Sequence, residues 1–178
     1  MKVDPAQVRL VPWSEEDLPL LVRLNAPEMT EHLGGPEAEE QVLLRHQRYV
    51  AVARSGIFRD SDNAYRAFAF KAVLEPEEVG VGSIGFWERE WKGEQVYEMG
   101  WGVVPEHQGR GIASAAAMQA VELARATKRR AAVHAFPAIE NAPSNAVCRR
   151  VGFELLGTTE FEYPKGHWTI GNDWRMTL

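Results

Sequence analysis

Between Glu98 and Ala124 the chain reads Glu-Met-Gly-Trp-Gly-Val-Val-Pro-Glu-His-Gln-Gly-Arg-Gly-Ile-Ala, then a run rich in Ala, Val, Leu and Met. This predicts a strand, a tight turn with two glycines, and a helix. Ala113, Ala117, Ala120, Val121 and Ala124 form a stripe of small side chains that lets the helix lie close on a sheet. Lys128, Arg129 and Arg130 follow at its negative end. Gly109 and Gly111 let the backbone bend without Cβ clashes and aim several amides one way as the helix begins. Free N–H groups and the helix dipole attract phosphate there, and Arg110 adds a formal charge. The turn is therefore a candidate cradle for a pyrophosphate, with an ordinary glycine turn as the competing reading.

Two other glycine patterns are excluded. A Walker-type loop needs Lys and Ser or Thr after its last glycine, where this chain has Ile112 and Ala113. Gly80, Gly82 and Gly85 match a dinucleotide fingerprint formally, but Phe86 to Trp91 reads as strand and not as the required helix.

Gln108-Gly109-Arg110-Gly111-Ile112-Ala113, preceded by Val103-Val104-Pro105, resembles the acyl-CoA pyrophosphate motif of the GNAT superfamily of N-acetyltransferases, Gln/Arg-x-x-Gly-x-Gly/Ala. A second block, Asn141-Ala-Pro-Ser144-Asn145-Ala-Val-Cys148-Arg149-Arg-Val-Gly152-Phe153, resembles the family's next helix, Asn-x-x-Ser ending in Gly-Phe. Its wording is most similar to the RimJ/RimL-like branch, which acetylates N-termini of ribosomal proteins. The resemblance implies an α/β (α+β) GNAT fold. A mixed, mostly antiparallel sheet of about seven strands carries helices on both faces, and a splayed parallel strand pair forms the acyl-CoA slot. It also implies acetyl-CoA as co-substrate, held by Val103, Val104, Gln108, Gly109, Arg110, Gly111, Ile112 and Ala113, with Asn141 and Asn145 contributing. Asn141 has a second reading as a helix cap before Pro143.

The chemistry so implied is direct attack of an amine on a thioester, which needs a base, a donor for the oxyanion and an acid for the thiolate. The Val103 backbone N–H is the expected donor and Ser144 the expected acid. Many family members have a tyrosine four residues beyond Ser144, where this chain has Cys148, read as a small buried residue. Glu162, before Tyr163, and Glu98, on the strand entering the slot, compete as base; either also reads as a solvated carboxylate. In a regular strand Glu98 and Val103 face opposite sides, so a bulge between them is expected if both address one cleft. An unbroken ladder counts against Glu98. Trp87, Trp91 and Trp101 are candidate acceptor walls, with core packing as the alternative, and His134 is expected at the core or rim.

The 178 residues predict one domain spanning 1–178. A net charge of -5 argues against nonspecific nucleic-acid binding, which needs a basic face. No apolar run approaches the ~20 residues that span a bilayer. One cysteine and no signal-peptide pattern favour the cytoplasm, and scattered histidines predict no metal site.

In order, Val8 to Val11 predicts a first strand, Ser14 caps a helix to about Asn25, residues 26–35 read as a loop, and Pro36 opens a helix to about Arg54. Strands over Tyr65–Val73, Val79–Trp91 and Gln95–Val104 form an antiparallel meander. Ala131–Phe136 should run parallel to the last of these, because a helix intervenes. After the Pro143 helix, Phe153–Tyr163 and His167–Met176 close the chain as a hairpin around Pro164-Lys165-Gly166, a candidate for pairing in a homodimer. The expected function is acetyl transfer from acetyl-CoA to a primary amine, a peptide N-terminus or a small molecule. The alternative is a GNAT-like module that binds CoA without catalysis.

Overall fold

The structure is a computed structural model that describes residues 2–163 and 166–178. Pro164 and Lys165, in the expected hairpin loop, lie outside the described residues. Strand β1 (Val8–Pro12) leads to a single 3-10 turn whose Ser14 N–H and Oγ both donate to Asp17 Oδ2, at 2.7 and 2.8 Å, and helix α1 (Leu18–Leu24) follows. The expected loop over 26–35 is partly helical instead. Pro27 opens α2 (Pro27–Thr30), a 3-10 turn continues to Leu33, and Gly34 ends it at φ 85°. Helix α3 (Glu39–Ser55) starts later than Pro36, because Asn25 binds both the N–H and the C=O of Glu37 at 2.9 Å and holds that residue outside the helix.

Gly56 ends α3 at φ 67°. A three-residue strand, β2 (Ile57–Arg59), then folds back on β3 (Ala64–Leu74), with Phe58 stacked on Tyr65 at 4.7 Å. It is too short for alternation to reveal. Next come β4 (Val79–Trp91), β5 (Glu94–Val103), α4 (Ile112–Ala126), β6 (Ala132–Ala135), α5 (Ala142–Val151), β7 (Glu154–Glu162) and β8 (Trp168–Thr177). The sheet has eight strands in the order β1-β3-β4-β5-β6-β8-β7, with β2 also on β3. All neighbours are antiparallel except β5 and β6, paired only at Tyr97–Val133 and Glu98–His134. Beyond Glu98 the two strands part.

Helices cover both faces. Tyr97 Oη lies 2.9 Å from Thr127 Oγ1 at the end of α4. On the other face, a Cβ at Gly102 would come within 3.4 Å of Leu24 on α1 and 3.6 Å of Met29 on α2. Successive strand residues alternate faces, so Tyr97, Met99, Trp101 and Val103 look toward α4, and Glu98, Gly100 and Gly102 toward α1 and α2. The α4 stripe holds at Ala117, Ala120, Val121 and Ala124, all buried, whereas Ala113 is half-exposed beside the loop. Arg129 and Arg130 do not serve the end of the helix. Both grip Glu88 Oε1 at 2.9 Å. Among the described residues no helix is long and apolar enough to cross a membrane.

Candidate functional site

The glycine loop is open. Gly109 and Gly111 have φ of 71° and 91°, and a Cβ added at either would meet nothing within 4 Å. Gly111 is the N-cap of α4 and no side chain caps the helix. Among the described residues, none of the amides from Gly109 through Ser114 donates to another protein group. A run of free N–H groups at a helix N-terminus is an anion site. Two predicted contacts are turned elsewhere. Gln108 Nε2 donates to the Val103 carbonyl at 2.9 Å and so ties loop to strand, and Arg110 Nη1 sits 3.0 Å from His107 Nδ1.

The predicted bulge in β5 is absent: β4 and β5 pair without interruption from Trp91–Glu94 to Gly82–Val103. The side chains of Glu98 and Val103 therefore do face opposite sides, which weighs against the shared cleft assumed for them. An amide N–H, however, lies in the plane of the sheet. Val104 N–H donates to Val81 O at 3.0 Å, so alternation turns the backbone groups of Val103 and Trp101 away from β4, into the gap that β6 has left. No bulge is needed for that. Trp101 Nε1, on the α4 face, and Ser114 Oγ, in the first turn of α4, are buried with no hydrogen-bond partner among the described residues. Neither orphaned group was signalled by the sequence pattern.

The two carboxylates are in different surroundings. Glu162 is exposed, and its Oε1 accepts from Gly166 N–H at 2.7 Å. Glu98 is buried at 7% exposure, level with His134 on β6 where the strands begin to part. Arg89 Nη1 meets its Oε2 at 2.5 Å. Burial pushes the Glu98 carboxyl above the ordinary range, opposed by Arg89 and by a hydrogen bond with Trp87. Tyr65 and Tyr163 both feel its charge. Trp87 and Trp91 share this face, while Trp101 faces the other, so the three tryptophans do not form one wall.

In the second block, Asn141 is the N-cap of α5: its Oδ1 accepts from Ser144 N–H at 3.1 Å, which is the capping alternative. Ser144 is half-buried in the first turn. Asn145, a predicted cofactor contact, is instead a structural hub at 3% exposure. Its Nδ2 donates to the Ala138 and Asn141 carbonyls at 2.9 and 2.8 Å, and its Oδ1 accepts from Asn172 Nδ2 and Trp174 Nε1 at 2.7 and 2.8 Å. No polar atom is left for a ligand. Replacing Asn145 by Ala strands several buried partners, each worth about 1–3 kcal/mol when left unpaired. We expect Asn145→Ala to lower the urea midpoint by the equivalent of at least ~3 kcal/mol at unchanged m. An unmoved midpoint would refute the hub. Cys148 is fully buried, and burial pushes its thiol up to about 12, so it is no nucleophile.

The family model for the acetyltransferase (GNAT) domain matches residues 7–154, and so takes in the glycine loop, the slot strands and α5. The chain belongs to the GNAT acetyltransferase family. It is 32% identical over 113 residues to the uncharacterized N-acetyltransferase YnaD of Bacillus subtilis (strain 168), a match covering 64% of this chain and 61% of that one. A GNAT-family acetyltransferase from Bacillus anthracis superposes with a TM-score of 0.76 at 19% identity, over 99% of this chain and 98% of that chain. A Salmonella typhimurium acetyl transferase, described as modifying the N-terminal serine of 50S ribosomal subunit protein L7/L12, superposes with a TM-score of 0.72 at 20% identity, over 97% and 95% of the two chains.

Proposed function

We propose that the chain is an acetyl-CoA-dependent N-acetyltransferase that transfers the acetyl group to a primary amine by direct attack in a ternary complex. The observation that carries this reading is the run of unpartnered amides from Gly109 to Ser114, at the end of a gap lined by the backbone of Trp101 and Val103. The open glycine cradle and the orphaned Trp101 Nε1 and Ser114 Oγ fit such a ligand. Acetyl-CoA, when bound, supplies an acyl carbon that its thioester makes electrophilic. The loop amides would hold the pyrophosphate, with Arg110 contributing only if it leaves His107, and the edge from Trp101 to Val104 would hold the pantetheine arm.

The Val103 N–H is the donor for negative charge on the acyl oxygen. We assign the base to Glu98 although the unbroken ladder counts against a shared side-chain cleft, because Val103 acts through its in-plane N–H and because Glu98 is buried where β5 and β6 part, with burial raising its carboxyl. Ser144 is the proton donor on the leaving side, as the family resemblance implies. The likeness to the L7/L12 enzyme supports a peptide N-terminus as acceptor, with small amines as the second class to test. One contiguous core supports reading 1–178 as one domain. The exposed Trp168 and Ile170 support a homodimer through the closing hairpin, and the single cysteine supports a cytoplasmic site of action.

The test is a calorimetric titration with acetyl-CoA, CoA and ATP, followed by thiol release across peptides and small amines. Binding of both CoA species but not ATP, with turnover on an amine, is expected. Binding without turnover across the panel would favour the non-catalytic module. No CoA binding by folded protein would sink both.

A further inference from the structure

We propose that Asp173 is a positioning residue for the transfer reaction: through Trp91 and His134 it fixes the aromatic cage that holds Arg89 against Glu98. The inference rests on Glu98 as the base. Asp173 is buried at 1% exposure on β8, beyond any direct part in the chemistry described above. Its Oδ2 accepts from Trp91 Nε1 at 2.9 Å and from Lys92 Nζ at 3.2 Å, and its Oδ1 lies 2.6 Å from His134 Nδ1. A buried carboxylate is tolerated only when several donors meet it, and here those donors carry the cage.

The Arg89 guanidinium sits 5.1 Å from the Trp91 ring centre, 5.4 Å from Phe136 and 5.0 Å from Phe161. Phe161 stacks on Phe136 at 4.7 Å, Trp91 meets Phe136 edge-on at 4.7 Å, and the His134 ring lies 19° from parallel to Phe136 at 5.8 Å. One carboxylate thus orients both Trp91, a wall of the cage, and His134, which backs a second wall. An arginine side chain has considerable rotamer entropy to lose, so a guanidinium confined by three rings is already aimed at its partner.

Among the described residues Glu98 is the only carboxylate paired with Arg89. The groups that face Glu98 are Arg89 from β4, Tyr65 from β3, Tyr163 after β7 and, level with it on β6, His134. Arg45 and Glu37, from and before α3, act on Tyr163. Arg89 is the cation in contact with Glu98, so slackening it makes the ionised carboxylate harder to form.

The decisive measurement follows the Glu98 carboxyl by carbon-13 NMR against pH in the ligand-free wild type, Asp173→Asn and Trp91→Phe. Trp91 and His134 meet different oxygens of Asp173, and Asp173→Asn turns one of those acceptors into an NH2 donor, so both partners cannot be held as before; Trp91→Phe keeps a ring while removing only the donor. The Glu98 midpoint should rise by about one pH unit in both variants, and the acid limb of kcat/KM should move up with it. An unmoved midpoint in either folded variant overturns the inference. Should Glu98→Gln keep full activity, Glu98 is not the base, and the catalytic role of Asp173 falls with it. Lost activity in Glu98→Gln beside an unmoved midpoint overturns this inference alone.

Discussion

Glu98→Gln should lower kcat/KM at neutral pH by roughly 10²–10⁴-fold, the range typical of losing a general base. Glutamine keeps the shape and still accepts from Arg89 but takes up no proton. The sign of the pH dependence follows from the site. The base must be ionised to act, and burial raises its carboxyl against the pull of Arg89. Wild-type activity should therefore fall on acidification at a higher pH than an ordinary glutamate would give, and Glu98→Gln should lose that limb. The same substitution at Glu162 decides between the two carboxylates. Glu162 is exposed, and its Oε1 already accepts from Gly166 N–H. If Glu162→Gln takes the loss and Glu98→Gln does not, the base is on the hairpin, where the family resemblance also allows it.

Gly111→Val should abolish binding of CoA and acetyl-CoA together, weakening each on the order of 100-fold or more. Two effects act in the same direction. At φ 91° a β-branched residue is an outlier, and holding it there costs about 1–3 kcal/mol. A new side chain would also project into the open space before the loop amides, since among the described residues nothing beyond the glycine's own chain neighbours lies within 4 Å of the added Cβ. Gly111→Ala separates the two, because it brings the strain with little bulk. Calorimetry gives both affinities, and thermal melting shows whether the fold survives. Undiminished CoA binding by folded Gly111→Val would mean that the glycine turn is architecture only.

The backbone plan was largely legible in the sequence because its signals are local. Glycines at 109 and 111, the small-residue stripe of α4, the Ser14 cap and the Gly56 and Gly152 helix ends each act within a few residues of themselves. So do the short connections that force an antiparallel meander. Helix α2 and strand β2 escaped notice because one turn of helix and three residues of strand are too short to show a period.

The chemistry of individual side chains was decided elsewhere. Arg89 meets Glu98 across two strands, Trp91 meets Asp173 over 82 residues, and Asn145 is claimed by Asn172 and Trp174. Such contacts depend on strand register and on which face of the sheet each residue takes, and a one-residue slip would reverse both. The bulge expected in β5 failed for the same reason. Sequence spacing says where side chains alternate, but only the assembled ladder shows which backbone groups are left to face the slot. The sequence alone thus determined a two-glycine turn between strand and helix, the element on which the proposed anion site rests. Tertiary packing determined which carboxylate is buried, what it is paired with and where the free amides point, because those are contacts between segments distant in the chain.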